Sequence, residues 1–262
     1  MLREKLMQHE PVDGFRWRSH EIARIEGFSD AVFGFAVTLL IVSLEVPRTS
    51  TELLHTMRGF GSFVVTFMIL AGLWHAQYTF FRRYGLEDRF TVILNLILLF
   101  TVLFFVYPLK FLFSVILTDP RMAGAIQTAH GRELIVLPQH KPFIFLIFAA
   151  GFIAVFTVFV LLYRHAYKQR EALGLNEFEI YETSHAIRRM QLSIVVGLMY
   201  VGLAGQSALP KQTPQQRQIY LAVAILVLLA FAGLMFFMFR MMRERKRVRR
   251  EWDVQRAGQR TD

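Results

Sequence analysis

A serine and an aspartate stand near the start of the first long apolar run of the chain. The run extends from Arg24 to Pro47 and reads RIEGFSDAVFGFAVTLLIVSLEVP, with Ser29 and Asp30 in its second turn. An ionised carboxylate within hydrocarbon costs roughly 3 kcal/mol or more unless a partner stabilises it. We therefore expect Asp30 to have a specific partner.

Two later apolar runs carry polar groups that could provide this partner. Trp74 and His75 lie near the end of the second run, and Asn95 lies near the start of the third. One His, one Asp and one Asn without a second His form a poor ligand set for a metal ion. Ser29 and its neighbour Asp30 point to different helix faces, so they do not form a nucleophile with a positioned base. The pattern favours hydrogen bonding between helices over a metal site, a cofactor site or an enzyme.

The composition is that of an integral membrane protein. Of 262 residues, 54% are apolar and 26 are phenylalanine, and the formal net charge is +10. Apolar runs of about 20 residues recur along the chain, and this length matches the hydrocarbon thickness of a bilayer. The absence of cysteine excludes disulfides, thiolate metal sites and a cysteine nucleophile. The charged residues 1–23 lack an apolar core, so we expect the first span, and not a cleaved signal peptide, to direct insertion.

Six membrane spans are predicted, which makes the fold class all-α and polytopic. They are Phe28–Pro47, Gly59–Phe81, Phe90–Leu117, Phe143–Tyr163, Gln191–Leu209 and Ile219–Phe239. The fifth is the weakest, because small and polar residues that suit close helix packing interrupt it. We divide the chain into a cytoplasmic N-terminal segment 1–23, a transmembrane domain 24–239 and a basic cytoplasmic tail 240–262. Residues Thr118–Pro142 are predicted to form an irregular loop, and Arg164–Arg189 a short helix extension.

Lysine and arginine are distributed unevenly between the two sides of this arrangement. The N-terminal segment, the second and fourth loops and the tail together carry more of them than the other three loops. By the positive-inside rule both termini are predicted to be cytoplasmic. The tail contains RERKRVRR from Arg243 to Arg250. Basic residues beside a span are typical of topology anchors and contacts to anionic lipid, so we expect membrane lipids as partners and not nucleic acid.

This orientation places polar groups of the first three spans at one depth. A helix rises about 1.5 Å per residue, so His75 lies within about 9 Å of the cytoplasmic surface. Asn95 lies at about the same depth, and Asp30 and Trp74 are at this level too. Each residue alone could be an interfacial polar group, but side chains at matching depth can satisfy one another's donors and acceptors. The coincidence of all of them predicts a network that joins three helices.

The start of the first span follows the pattern Arg24-x-x-x-Phe28-Ser29-Asp30. This pattern resembles the RxxxFSD signature of the transmembrane protein 175 family of potassium channels. The resemblance covers roughly the first 110 residues, and its other elements are Thr38, Leu44-Glu45-Val46-Pro47, Trp74-His75, Asn95-Leu96 and Pro108. Beyond this region the resemblance rests on the number of spans alone.

The resemblance implies an ion channel and not an enzyme. It implies a homotetramer in which four first spans surround a central pore that conducts K⁺ with moderate selectivity. It also implies a multi-pass protein of the cell membrane, here the inner membrane of a bacterium, with no bound metal besides the permeating K⁺. The residues expected to hold the first three helices together are Arg24, Phe28, Ser29, Asp30, Trp74, His75 and Asn95.

Four residues of the first span form one stripe along a helix. Ala31, Phe35, Thr38 and Val42 are spaced at i, i+4, i+7 and i+11. Asp30 lies five residues before Phe35, which is about 140° away around the helix. If the stripe faces a pore axis, Asp30 faces neighbouring helices. We therefore interpret the carboxylate as a contact within the subunit and not as an ion ligand.

The chain contains no TVGYG-like filter loop, so potassium preference needs another origin. The resemblance implies an apolar constriction whose positions, usually Ile or Leu in the family, correspond to Phe35 and Val42. Leu39 could contribute, and which layer is narrowest stays open. Thr38 either offers its hydroxyl oxygen to a partly dehydrated cation or bonds back to its own helix. Glu45, near the outer mouth, either concentrates cations or is an ordinary interfacial carboxylate.

Two other function classes are compatible with a set of six apolar spans. A secondary transporter working by alternating access would be indicated by broken helices at a midplane site and by inverted repeats, and neither is evident. A non-conducting structural membrane protein would produce no ion flux. Flux measurements in reconstituted liposomes distinguish both alternatives from a channel.

Overall fold

The part of the chain that the structure describes forms long helices and one short hairpin. The structure, a computed structural model, describes residues 15–19, 21–42, 49–117, 126–128, 131–133 and 141–207, and the single residues 233, 240, 243, 244, 247 and 252. Its elements are α1 Arg24–Val42, α2 Ser50–Tyr84, α3 Arg89–Leu117, β1 Ile126–Thr128, β2 Gly131–Glu133, α4 Lys141–Lys168 and α5 Glu177–Ser207.

Four of these helices contain segments that are long and apolar enough to cross a membrane. The segments are Arg24–Val42, Phe60–Tyr84, Arg89–Ser114 and Leu146–Lys168. They correspond to the first four predicted spans, and their length and composition are those of a helical membrane protein with several spans. Helix α5 contains most of the predicted span Gln191–Leu209 but does not reach the same apolarity, in keeping with its interruptions. The predicted span Ile219–Phe239 lies, apart from residue 233, outside the described residues.

Two connections differ from the sequence-based expectation. The predicted irregular loop Thr118–Pro142 contains the antiparallel pair β1 and β2, in which Ile126 lies opposite Glu133 and Thr128 opposite Gly131. The predicted short helix extension over Arg164–Arg189 is in fact the end of α4, a turn and the first part of α5. Helix α5 then runs unbroken into the fifth predicted span.

Side-chain caps explain where the helices begin. Asn176 precedes α5, and its side-chain oxygen accepts a hydrogen bond from the Glu179 backbone N–H at 2.8 Å, while Glu179 accepts one from the Asn176 N–H at 3.0 Å. This reciprocal pair is a capping box. Asp88 caps α3 by accepting hydrogen bonds from the backbone N–H groups of Phe90 and Thr91. At the C-terminal end of α1, helix carbonyls lack intrahelical partners. One of them, the Leu40 carbonyl, accepts a hydrogen bond from the Lys110 ammonium at 3.4 Å.

Small residues allow the helices to pack closely. Helix α1 packs on α2 and α3, α2 also packs on α3, α3 on α4, and α4 on α5. A Cβ at Gly151 of α4 would lie 2.2 Å from the Phe105 ring of α3, and a Cβ at Gly197 of α5 would lie 2.7 Å from Ile153. Any larger residue at either position would force the neighbouring side chain to shift. Gly197 therefore serves close helix packing in the fifth predicted span, whereas a Cβ at Gly202 would meet no atom within 4 Å.

An aromatic cluster fills one end of the bundle. Phe15, Phe80, Tyr84 and Tyr163 are all buried. The Tyr84 ring lies 5.5 Å from Phe15, 5.1 Å from Phe80 and 5.7 Å from Tyr163. Its hydroxyl lies 2.7 Å from the Thr183 hydroxyl of α5, so the polar tip is paired. The cluster joins the ends of α2 and α4, the start of α5 and the segment that precedes α1.

Residues 15–19, which we name the N-terminal strap, cross this end of the bundle. Arg18 binds the fully buried Glu179 carboxylate at 2.6 Å, and Arg16 donates to the same group through its backbone N–H at 2.9 Å. The Arg18 backbone N–H donates to the Arg82 carbonyl at 3.0 Å. In the tail, the Trp252 ring stacks on Phe178, with centroids 5.6 Å apart. The strap and this tail residue therefore contact the same end of the bundle.

The Glu179 carboxylate should be the main electrostatic anchor of the strap. We expect Glu179→Gln to lower the free energy of unfolding by about 2 kcal/mol, because charge-assisted hydrogen bonds to two arginines are lost. Glu171→Gln is the matched control, since that side chain is 90% exposed in its pair with Arg170 and should change stability little. Thermal unfolding in detergent, followed by tryptophan fluorescence, measures both. Equal effects of the two substitutions would contradict the anchor.

The same anchor predicts a pH dependence. Burial by itself raises the pKa of Glu179, but hydrogen bonds from Arg18, Asn176 and Arg16 outweigh it and hold the pKa below its usual range. A carboxyl with a lowered folded-state pKa stabilises fully above its unfolded pKa, and this contribution is lost as the pH falls through the folded value. The stability difference between the parent and Glu179→Gln should thus persist from neutral pH to the ordinary glutamate value of 4.5 and shrink below it.

Candidate functional site

A chain of buried hydrogen bonds joins the first three helices. The Asn95 amide of α3 donates to the Ser29 hydroxyl of α1 at 2.8 Å, and the Gln77 amide of α2 donates to the Asn95 side-chain oxygen at 3.0 Å. The Ser29 hydroxyl donates in turn to the Ile25 carbonyl at 2.7 Å. All three side chains are buried. The first three helices therefore share a buried polar core to which each contributes one side chain.

A second polar contact joins α1 to α2 at the surface of the subunit. The Trp74 indole N–H donates to the Asp30 carboxylate at 2.7 Å. The indole also stacks on Tyr78, with centroids 5.7 Å apart, which orients its N–H toward α1. Asp30 is thus paired with a neighbouring helix of its own subunit, on a different side of α1 from Phe35.

Three residues of the signature lie outside these contacts. Arg24, Phe28 and His75 are exposed in the subunit, and within the described ranges none of them hydrogen-bonds to Ser29, Asp30 or Asn95. Arg24 and Phe28 precede Phe35 by eleven and seven residues, so the helical repeat places them on the same face as Phe35. His75 is rotated by about 100° from Trp74.

The sequence-based interpretation missed Gln77. It is an uncharged amide inside a span, three residues after Trp74, and its position on α2 faces α3. An amide that is not hydrated must hydrogen-bond to neighbouring helices. The presence of this amide within an apolar span could therefore have identified Gln77 from the sequence. A second omission is Glu26, which accepts a hydrogen bond from the Ala23 backbone N–H at 3.3 Å and lies 3.7 Å from Arg82. This ion pair links the start of α1 to the end of α2.

One face of α1 is uncovered in the subunit. Phe35 is 56% exposed and Val42 is 72% exposed, although both are large apolar residues. Ala31 and Thr38 are exposed as well, and Leu39 is partly exposed. We name Ala31, Phe35, Thr38 and Val42 the exposed face of α1. The opposite face, with Phe33, Ala36 and Leu40, is buried.

Thr38 occupies the middle of the exposed face of α1. Its hydroxyl donates to the Gly34 carbonyl one turn earlier, at 3.0 Å. The proton of the hydroxyl is engaged, and the oxygen keeps lone pairs that can accept from an outside group. Bonding to its own helix and binding a cation are therefore compatible roles for this residue. Glu45, the other polar residue predicted at the pore, lies outside the described residues.

No group of three or more His, Cys, Asp or Glu side chains in the described part of the chain is arranged to hold a metal ion. The polar groups of the site are instead engaged with one another between helices. Apolar helices of span length that are joined in this way are typical of a multi-pass helical membrane protein.

Comparisons with known proteins agree with this class. The family model described as "Endosomal/lysosomal potassium channel TMEM175" matches residues 24–105. A potassium channel of Marivirga tractuosa is 39% identical over 175 residues, which cover 66% of this chain and 70% of the relative. A potassium channel of Streptomyces collinus is 33% identical over 89 residues, covering 32% of this chain and 43% of the relative.

A solved structure is similar over most of the chain. It is the crystal structure of the potassium channel MtTMEM175 T38A variant in complex with a Nanobody-MBP fusion protein, with a TM-score of 0.68 and 30% sequence identity. The similarity covers 88% of this chain and 97% of that channel. The chain therefore belongs to the TMEM175 family of potassium channels, and the resemblance found in its sequence is confirmed.

The contact between Asp30 and Trp74 should support assembly and not ion preference. We expect Asp30→Asn to destabilise the protein by about 1 kcal/mol, because the hydrogen bond from the indole loses its charge. This loss corresponds to a decrease in apparent Tm of about 2–4 °C. Reversal potentials in mixed K⁺ and Na⁺ solutions should stay unchanged.

A double-mutant cycle isolates the contact. Trp74→Phe removes the donor but keeps an aromatic ring, so the two substitutions together should destabilise less than the sum of their separate effects. Additive effects, or a stable Asp30→Asn protein with a sharply altered ion preference, would show that the carboxylate acts elsewhere.

Proposed function

We propose that this protein is a homotetrameric, moderately potassium-selective channel in which four copies of α1 surround a central pore. The observation that carries the proposal is the exposed face of α1, which lies opposite a well-packed face. A single helix cannot enclose a pore, so only neighbouring copies could complete one. The face also carries the hydroxyl of Thr38, which an aqueous pathway would tolerate better than lipid would.

We further propose that residues 24–239 form the channel domain and that both termini are cytoplasmic. The excess of lysine and arginine in the N-terminal segment, the second and fourth loops and the tail supports this orientation. Contacts of the N-terminal strap and of Trp252 with one end of the bundle are consistent with it. Because two of the relatives come from bacteria, we place the channel in a bacterial inner membrane.

Selectivity in this proposal arises from the side chains of α1. Four Thr38 oxygens would form one ring, each with its proton engaged by Gly34 and its lone pairs directed toward the pore. Such a ring can replace part of the hydration shell of a cation. The apolar layers at Phe35 and Val42, with Leu39 beside them, would exclude water above and below the ring. A cation would then cross only after partial dehydration.

The oligomeric state is the first test of the proposal. The mass of the purified protein in detergent should equal four chains, and potassium flux in liposomes should scale linearly with the K⁺ gradient over a wide range. A monomer would rule out the central pore. Saturating flux coupled to a second ion would instead indicate a secondary transporter, and the absence of flux a structural role.

Removing the Thr38 hydroxyl should lower selectivity without stopping conduction. We expect Thr38→Ala to reduce the K⁺ over Na⁺ permeability ratio, because the oxygen ring is lost while the apolar layers remain. Thr101→Ala on α3 is the matched control, since that hydroxyl also bonds back to its own helix, at 2.7 Å from the Ile97 carbonyl. Bi-ionic reversal potentials measure both variants. If the two variants behave alike, Thr38 has no part in selectivity.

Phe35 should form the narrowest layer of the pore. Its spacing with Ala31 and Val42 directs it to the axis, where four rings would keep a short segment free of water. We expect Phe35→Ala to increase leak current and to reduce selectivity. Phe104→Ala on α3, another Phe that is 67% exposed, is the control and should leave both unchanged.

The alternative for Phe35 is a ring that turns sideways between neighbouring copies of α1, where aromatic packing stabilises the tetramer. In that case Phe35→Ala would weaken assembly of the tetramer and leave leak current and selectivity unchanged. Leu39 or Val42 would then become the narrowest layer. Planar-bilayer recordings combined with the oligomer mass of the variant distinguish the two arrangements.

A further inference from the structure

A surface cavity of about 610 Å³ lies where the end of α4 meets the start of α3. It is lined by Phe90, Leu161, Arg164, His165, Tyr167 and Lys168. The apolar segments Leu146–Lys168 and Arg89–Ser114, which are long enough to cross a membrane, end and begin at this level. In a membrane crossed by these segments, the cavity would lie at the boundary between hydrocarbon and lipid headgroups.

The cavity combines an apolar wall with a cationic rim. Leu161, Arg164 and Lys168 are spaced at i, i+3 and i+7, so they share one face of α4. Leu161 is 38% exposed and Phe90 is 46% exposed, which leaves apolar surface open toward the membrane. Arg164 and Lys168 are exposed, and no carboxylate among the described residues lies within ion-pair distance of either.

Asp88, which contacts the lining residue His165, is an acidic group that is already engaged. Asp88 accepts a hydrogen bond from the Thr91 hydroxyl at 2.7 Å, and His165 Nε2 lies 3.0 Å from its second carboxylate oxygen. His165 in turn packs against the Phe90 ring, with centroids 4.8 Å apart. These contacts fix the wall of the cavity and hold the carboxylate to the start of α3, so it does not neutralise the two cations of the rim.

We propose that this cavity binds the headgroup of an anionic phospholipid. Arg164 and Lys168 would hold the phosphate, with the arginine able to form two parallel hydrogen bonds to its oxygens. Phe90 and Leu161 would pack against the first carbons of the acyl chains. A free phosphate ion would leave this apolar wall uncovered, which is why a lipid fits the site better. Topology alone would require basic residues at this level but no cavity between them.

Binding of short-chain lipids to the full-length protein in detergent tests the proposal. We expect dioctanoyl phosphatidylglycerol to bind saturably, as followed by microscale thermophoresis, and dioctanoyl phosphatidylcholine to bind much more weakly. The double variant Arg164→Gln/Lys168→Gln should weaken binding of the anionic lipid about 25-fold, since each cation near an anionic headgroup contributes a factor of about five.

A matched control separates a built site from general attraction. Arg188→Gln/Arg189→Gln removes the same charge from exposed positions on α5 and should leave binding nearly unchanged. Equal weakening by the two double variants would overturn the proposal, because it would show non-specific attraction. Unaltered thermal unfolding of both double variants confirms that binding is compared between folded proteins.

The apolar wall distinguishes a lipid from a free anion. Leu161→Ala should weaken binding of phosphatidylglycerol, and inorganic phosphate at the same concentration should not displace the lipid. Displacement by phosphate together with an unaffected Leu161→Ala variant would assign the site to a free anion and overturn the lipid. Equal affinity for phosphatidylcholine would also contradict the proposal, because it would show that Arg164 and Lys168 do not distinguish an anionic headgroup from a zwitterionic one.

Discussion

Hydrocarbon offers no hydrogen-bond partner, and this constraint determines how the first three helices are arranged. The side chains of Ser29, Asn95 and Gln77 are buried together, and each meets another or the α1 backbone. Each group would be costly in the membrane if its partner were missing. The three helices therefore have one rotation and one height at which the chain of hydrogen bonds closes. That position also decides which face of α1 remains uncovered.

The two sides of α1 consequently have different roles. One side carries Ser29 and the apolar residues that pack against α2 and α3, while the other side carries Phe35, Thr38 and Val42 and has no cover within the subunit. Asp30 lies between these sides and pairs with Trp74. These polar contacts attach α1 to α2 and α3. The exposed face can therefore be narrow and apolar, because it does not have to stabilise the subunit.

Charged and polar groups are paired at one end of the bundle, where the apolar segments begin and end. Glu179 binds two arginines of the N-terminal strap, Glu26 lies beside Arg82, and Asp88 holds His165. The strap leads directly into α1 and also contacts the end of α2 and the start of α5. The strap, the aromatic cluster and these pairs therefore connect α1 to helices with which it shares little other contact.

Much of this protein is determined locally by its sequence. Apolar runs of span length, the RxxxFSD pattern and the stripe of α1 are properties of neighbouring residues, so the sequence alone indicated the first four spans, the family and the face of α1 that is exposed in the subunit. Only the tertiary structure decided that Trp74 and Gln77, and not His75, meet α1 and α3, because a rotation of about 100° per residue separates side chains at equal depth. The partnership of Arg18 with Glu179 spans 161 positions of the chain, and no local pattern records a contact between residues so far apart.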